Sequence, residues 1–129
     1  MSFEQMYQEQ ILDHYKNPRN SGSLQNPDIK YSDTNPLCGD EVEFTAKVKD
    51  DKITEVKFNC KGCAISKAAS SMLTDAVKGK SLDDVRKMTK DEILGMLGVQ
   101  ISPVRMKCAM LGLKTLQKGI YKYLGKEKK

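Results

Sequence analysis

The hydrophobic pattern of this chain changes its period at one short segment, residues 60–63, which read Cys-Lys-Gly-Cys. Before this segment, apolar and polar residues alternate over 42–48 and again over 53–60, which predicts two strands that each bury one face. The acidic pair 50–51 separates the two runs, so the strands are expected to form an antiparallel hairpin. After the segment, apolar residues recur at helical spacing as far as Val77. This order excludes a doubly wound parallel sheet.

A helix and then a loop are predicted before the hairpin. Ser2 and Gln5 fit a capping box, and large apolar residues recur at helical spacing until Pro18 ends the helix. Residues 17–36 are rich in proline, asparagine and serine, which is typical of a loop. Within that loop, only residues 29–31 have the pattern of a short edge strand.

Two short helices are predicted after the long helical run. Ser81 and Thr89 each open a capping box, so each is expected to begin a helix. Gly95 and Gly98 are expected to break the second of these helices. A last helix is expected to begin between Ser102 and Cys108.

The order of the predicted elements is α-β-β-β-α-α-α-α, with the last helix running to about Leu124. This order indicates an α+β fold in which a small antiparallel sheet of about three strands carries helices on one face. Residues 1–125 are expected to form a single domain, and residues 126–129 a basic C-terminal tail.

Charge and hydropathy exclude several classes of protein. The chain has 22 Lys and Arg against 17 Asp and Glu, but tail lysines supply much of the excess, so nucleic-acid binding is not expected. No apolar run approaches the roughly 20 residues that a membrane span needs. The N-terminal residues resemble neither a secretory signal nor a transit peptide, so a cytoplasmic protein is expected.

The four cysteines indicate metal or sulfur chemistry more than a pair of disulfides, because no export signal accompanies them. Loops and helix starts expose backbone N–H groups, which favour thiolate over thiol. We therefore expect thiols on such positions to converge at one rim of the domain. The residues concerned lie at three places where elements meet: Cys38-Gly39-Asp40, Cys60-Lys61-Gly62-Cys63 and Lys107-Cys108.

Three further residues have two interpretations each. Cys60 shares its strand phase with apolar residues, which favours a buried core thiol over a ligand. Asp40 either caps the entry to its strand or completes the thiolates into a four-coordinate site with a harder, more readily exchanged oxygen donor. His14, on the interior side of the first helix, is interpreted as a packed histidine.

Several segments together resemble the NifU/IscU family of iron–sulfur cluster assembly scaffolds. The resemblance extends over essentially the whole chain, including the first helix and its loop (13–20). The segments that carry it are Asn35-Pro36-Leu37-Cys38-Gly39-Asp40, Gly62-Cys63-Ala64-Ile65-Ser66, Gly79-Lys80-Ser81 and Val104-Arg105-Met106-Lys107-Cys108-Ala109.

The resemblance implies a scaffold rather than a true enzyme. Such a scaffold accepts persulfide sulfur from a cysteine desulfurase, builds a [2Fe–2S] cluster and passes it to apo-proteins; an iron donor, a chaperone and self-association are further candidate interactions. It implies Cys38, Cys63 and Cys108 as ligands of the cluster or metal, with Asp40 as the labile fourth group. Cys108 is the implied sulfur acceptor, and the adjacent Lys107 is interpreted as its electrostatic activator.

The subtype within the family is mixed. Lys107 stands where IscU-type members have His, as in zinc-binding SufU-type members, yet the insertion of the SufU type between Cys63 and Cys108 is missing. The alternative function is therefore a zinc-dependent sulfur shuttle that activates a desulfurase. A third alternative, a zinc-stapled interaction module, requires Cys60 and Cys63 to bind one metal. Residues 101–105 also depart from the peptide that the dedicated chaperone grips in IscU-type proteins.

Overall fold

The strands form one antiparallel sheet in which strands that follow each other in the chain lie side by side, and helices precede and follow the sheet along the chain. The computed structural model describes residues 3–35, 39–98 and 100–127, with the side chains of 3–7, 104 and 126–127 left out. The elements within these residues are α1 (Phe3–Lys16), β1 (Ile29–Asn35), β2 (Asp40–Lys49), β3 (Lys52–Lys61), α2 (Ala64–Val77), α3 (Leu82–Arg86), α4 (Lys90–Leu97) and α5 (Pro103–Glu127). The predicted α+β class and element order are confirmed.

The hairpin of β2 and β3 builds the core face of the sheet. Phe44 of β2 pairs with Phe58 of β3, and their rings stack with centroids 6.0 Å apart. At the turn, Asp50 and Asp51 have φ angles of 53° and 60°. Two successive residues with positive φ form the kind of turn whose twist matches that of the flanking strands. The alternation and the acidic pair thus fold as the sequence predicts.

The first strand is longer than predicted. It continues beyond residue 31 to Asn35, where it pairs with Asp40, the first residue of β2. The added residues are polar, and their side chains point alternately away from the core, so hydrophobic alternation gives no signal there. Residues 32–35 are a strand because they pair with β2. As a result, β1 ends beside Asp40, where β2 begins.

Helices α2 and α5 pack against each other and against the sheet. The predicted N-caps of α3 and α4 are confirmed, because the side chains of Ser81 and Thr89 accept hydrogen bonds from backbone N–H groups in the first turn. The expectation that Gly95 breaks α4 is wrong, since only Gly98, with a φ of 70°, ends this helix. A helical glycine costs about 1 kcal/mol, less than α4 gains by burying Ile93 and Leu97.

Helix α1 packs mainly on α2, with His14 at the contact. The side chain of His14 is buried, and its Nδ1 lies 2.7 Å from the Ser71 hydroxyl. Burial holds the pKa of His14 below its usual value, which agrees with the interpretation of a packed histidine. The predicted N-terminal capping box involves Ser2, which lies outside the described residues. Within the described part of the chain, no helix is both long and apolar enough to cross a membrane.

Candidate metal centre

Asp40 begins β2, with only 1% of the residue exposed. Its Oδ1 accepts a hydrogen bond from the backbone N–H of Cys63 at 3.0 Å, and its Oδ2 lies 3.8 Å from Cys63 Sγ. The register explains this contact, because β2 and β3 are neighbours and Cys63 follows the end of β3 by two residues. A carboxylate is thereby held against a thiol at the edge of the sheet.

Cys63 is the N-cap residue of α2. Its backbone is extended, with φ −74° and ψ 168°, and its Sγ accepts a hydrogen bond from the backbone N–H of Ser66 at 3.4 Å. The sulfur therefore takes the position that a serine or aspartate oxygen usually occupies at a helix start. The residue as a whole is half-buried.

Cys108 lies inside α5, in its second turn, and only 1% of the residue is exposed. The sequence predicts that this thiol lies at or near the start of the last helix. Because α5 begins at Pro103, Cys108 lies beyond the first four residues, whose N–H groups lack partners within a helix. The helix-start position expected from the sequence is thus corrected to the second turn, and the assignment of Cys108 as acceptor stays a prediction. Lys107, its neighbour, is exposed.

The three side chains meet at one point. A carboxylate oxygen of Asp40 and the Sγ atoms of Cys63 and Cys108 all lie within 4.8 Å of one another. Zinc binds thiolates at about 2.3 Å and carboxylates at about 2.1 Å, so donors at this separation fit around one ion. Two soft sulfurs and one hard oxygen suit zinc or an iron–sulfur centre better than calcium or magnesium.

Cys38 lies outside the described residues, so its predicted role as a ligand stays a prediction. The residues on either side of its loop are described. The backbone N–H of Gly39 donates to the carbonyl of Asn35 at 2.8 Å, and Asn35 pairs with Asp40. The described residues on either side of 36–38 therefore lie next to Asp40.

Cys60 does not belong to the donor group found among the described residues. It is half-buried and packs against the core, as its strand phase predicts. Its Sγ lies 3.7 Å from the Ser66 hydroxyl, and burial raises the pKa of the thiol. A raised pKa keeps the sulfur protonated and disfavours metal binding. The arrangement gives no support to a zinc site that Cys60 and Cys63 share.

Sequence reasoning missed the role of Ser66. This residue is fully buried, its N–H donates to Cys63, and its hydroxyl contacts Cys60, so it lies between a donor thiol and a core thiol. Its position three residues after the N-cap is the signal that identifies it, because the N–H of that residue is the usual donor to a capping side chain.

Proteins that are similar in sequence to this chain match it over nearly its whole length. The family described as the NifU-like N-terminal domain matches residues 6–129. The iron–sulfur cluster assembly scaffold protein IscU of Aquifex aeolicus is 43% identical over 129 aligned positions, which include 98% of this chain and 80% of that protein. The zinc-dependent sulfurtransferase SufU of Bacillus subtilis is 38% identical over 141 aligned positions, which include 96% of this chain and 95% of SufU.

Solved structures agree with these sequence matches. A crystal structure of a candidate iron–sulfur cluster assembly scaffold protein of the SUF system from Fervidobacterium islandicum has a TM-score of 0.78 and 29% identity, with 91% of this chain and 98% of that chain covered. The N-terminal part of a NifU-like protein from Brucella abortus shares the fold, with a TM-score of 0.79 at 22% identity and coverage of 97% and 99%. From the family match and these relatives, we conclude that this chain belongs to the family of NifU-like N-terminal domains.

Proposed function

We propose that this chain is a scaffold for iron–sulfur cluster assembly, which accepts sulfur from a cysteine desulfurase, builds a [2Fe–2S] cluster and transfers it to apo-proteins. The observation that carries the proposal is the convergence of Asp40, Cys63 and Cys108 within 4.8 Å of one another. Relatives at 36–43% identity are named as scaffold proteins for this process. The cluster is the cargo of such a protein.

The proposed ligands have two different roles. A [2Fe–2S] cluster is held by four protein ligands, and Cys38, Cys63 and Cys108 supply three thiolates of the kind that iron–sulfur centres prefer. The fourth ligand in this proposal is the Asp40 carboxylate. A carboxylate binds iron less tightly than a thiolate does, so it provides a point at which an acceptor protein can begin to take over the cluster.

The proposed sulfur transfer is a thiol–persulfide exchange at Cys108. Its thiolate attacks the terminal sulfur of the desulfurase persulfide, the sulfur–sulfur bond of the donor breaks, and the desulfurase cysteine leaves as a thiolate. In this proposal the ammonium group of Lys107, the residue that precedes Cys108, favours the attacking anion. Conversion of this sulfur to the sulfide of a cluster consumes two electrons, which an external electron donor must supply.

A zinc-dependent sulfur shuttle is the second candidate function. Lys107 and the sulfurtransferase SufU among the relatives favour it, and the donor group also fits zinc. The alignment with SufU is longer than this chain, so SufU contains positions that this chain lacks. The alignments with IscU proteins are no longer than this chain, which favours the scaffold.

The remaining parts of the proposal follow from the scaffold role. The chain carries sulfur and iron and does not itself turn over a substrate, and its partners are a desulfurase and apo-proteins, with an iron donor or a chaperone as further candidates. We place this work in the cytoplasm. Residues 1–125 form the one scaffold domain in this proposal, and residues 126–129 its basic tail.

Anaerobic purification followed by a visible absorption spectrum and metal analysis tests the proposed function. A scaffold is expected to be brown after purification or after reconstitution with iron, cysteine and a desulfurase, with iron and acid-labile sulfide in equal amounts. A colourless protein that contains stoichiometric zinc, takes up no cluster and still stimulates the desulfurase would establish the shuttle instead.

A further inference from the structure

The carboxylate of Asp40 occupies space that any side chain on Gly62 would need. A methyl group built on Gly62 would overlap Asp40 Oδ1 and lie 2.7 Å from its Cγ and 3.0 Å from its Cβ. Because Asp40 is 1% exposed, its carboxylate has no solvent-filled space beside it into which it could swing freely. A glycine at this position is therefore coupled to the location of an oxygen donor 22 positions earlier in the sequence.

Backbone conformation does not explain why this residue is a glycine. The glycines with positive φ among the described residues are Gly22, Gly39, Gly79 and Gly98, and Gly62 is not one of them. An alanine can adopt the backbone of Gly62 without the strain that a left-handed conformation imposes. Space for the Asp40 carboxylate is the requirement that remains.

The location of the carboxylate matters because of what it touches. Oδ1 accepts the backbone N–H of Cys63 at 3.0 Å, and Oδ2 lies 3.8 Å from the Cys63 sulfur, so one group faces both the backbone and the thiol of the same residue. If the carboxylate is displaced, this hydrogen bond is lost and the oxygen moves away from the two thiols that it accompanies.

We propose that Gly62 is a positioning residue, whose missing side chain reserves the space in which the Asp40 carboxylate is held as the oxygen donor of the metal site. Its importance for cluster handling rests on the proposed function, whereas its effect on the carboxylate does not. Gly62→Ala would then change a donor set of sulfur and oxygen into one of sulfur alone, without altering any ligand residue.

The test compares Gly62→Ala and Asp40→Ala with the unaltered chain in two measurements. The first is Co²⁺ affinity, together with the ligand-field and thiolate charge-transfer bands of the bound ion. Loss of a partner that orients a ligand typically lowers metal affinity about 10- to 100-fold, and we expect a loss of this size and a shared band shift in both variants. The second is hydrogen exchange at the Cys63 amide without metal, which we expect to be faster, to the same extent, in both variants.

Gly95→Ala is the matched control, because it makes the same change in a helix where no atom lies within 4 Å of the added methyl group. It is expected to keep the Co²⁺ affinity within about twofold and to leave the Cys63 amide unchanged. Melting temperature is measured for every variant, so that a general loss of stability is recognised.

The double variant Asp40→Ala with Gly62→Ala gives the decisive comparison. If Gly62 acts through Asp40, adding Gly62→Ala to Asp40→Ala changes Co²⁺ affinity by less than about twofold, because the overlapping atoms are already gone. An undiminished effect in that background would overturn the proposal, as would normal Cys63 amide exchange in Gly62→Ala. If Gly62→Ala alone fails to fold, the double variant is expected to fold, and its failure to do so would also contradict the proposal. An unaltered chain that takes up neither Co²⁺ nor a cluster would refute the proposed function, while amide exchange would still decide the role of Gly62.

Discussion

Two thiols of the same site have opposite surroundings. Cys63 caps a helix, is half-buried and receives a backbone hydrogen bond, whereas Cys108 lies inside a helix with 1% of its surface exposed. The difference shows that two thiols can lie close together while their residues differ in exposure to solvent. Packing brings the two sulfurs together, but Cys63 is the more exposed of the two residues.

The ends of helices explain this contrast. A helix N-terminus has backbone N–H groups without helical partners, and one of them, at Ser66, donates to the Cys63 sulfur. In the interior of α5 those groups bond within the helix, so they are not available to the Cys108 sulfur. The two thiols are therefore expected to differ in how they enter the chemistry.

Loss of either thiol is expected to have the largest effect. Cys63→Ser and Cys108→Ser should each lower the cluster retained after reconstitution by at least about 10- to 100-fold, because even the loss of a partner to a ligand has effects of this size. Visible absorbance and iron content after gel filtration measure it. We expect the same result for Cys38→Ser.

Cys60→Ser is the control for that experiment, since Cys60 is a half-buried thiol outside the donor group. It should retain the cluster. Full retention in Cys63→Ser, or complete loss in a folded Cys60→Ser, would show that the ligands are assigned incorrectly.

The site of first sulfur attachment is a direct test of the contrast. Metal-free protein is incubated with desulfurase and cysteine, and peptide mass spectrometry locates the added sulfur atom at successive times. The proposed acceptor is Cys108, so its peptide should gain the mass first, and Lys107→Ala should slow that gain several-fold. Early accumulation on Cys63 would instead make accessibility the deciding property.

Removal of the oxygen donor is expected to have a smaller effect on retention and a clear effect on release. Asp40→Ala should slow transfer to an apo-acceptor and prolong the life of the bound cluster in air, because the most exchangeable ligand is gone. Transfer is followed by the acceptor's absorbance or circular dichroism. Unchanged transfer and lifetime would leave Asp40 with a capping role only.

The smallest effect is expected from a substitution that changes the contact between α2 and α5 and lowers the free energy of unfolding. A methyl group on Gly112 of α5 would lie 2.6 Å from the Ser70 hydroxyl of α2. Gly112→Ala should therefore lower the free energy of unfolding by about 1–3 kcal/mol in urea titrations. Gly125→Ala, in the same helix with no atom within 4 Å, is the control and should not destabilise the protein.

Addition of Ser70→Ala sharpens this test. The Ser70 hydroxyl is buried and has no hydrogen-bond partner among the described residues, so its removal leaves no other polar group unsatisfied. The distance to the remaining Cβ of Ser70 is 3.4 Å, which is close to ordinary contact. Most of the stability lost in Gly112→Ala should return, and a double variant as unstable as the single one would locate the strain elsewhere.

Local signals in the sequence predicted those parts of the fold that neighbours in the chain determine. Alternation defined the hairpin, and Ser81 and Thr89 defined helix starts, because a capping side chain acts within three residues of itself. The extension of β1 to Asn35 had no such signal, since its polar residues become a strand only by pairing with β2.

The candidate site was predictable in its residue types and not in its geometry. The motifs named Asp40, Cys63 and Cys108, but burial of Cys108 depends on where α5 begins and on what packs over it. The contact of Gly62 with Asp40 is set by the register of two strands, which no pattern in one sequence reports.

The positions of the donors along the chain indicate where extra residues can be added. Asp40 lies on β2, Cys63 at the N-cap of α2 and Cys108 on α5, which packs on both β2 and α2. The two short helices α3 and α4 occupy the interval between the last two donors. The described part of the connection between α4 and α5, residue 98 and residues 100–102, contains no donor of the site, so residues added there would lengthen the interval between Cys63 and Cys108 without changing the donor set. The exposed Gln100 in this connection is a suitable place to insert a reporter peptide.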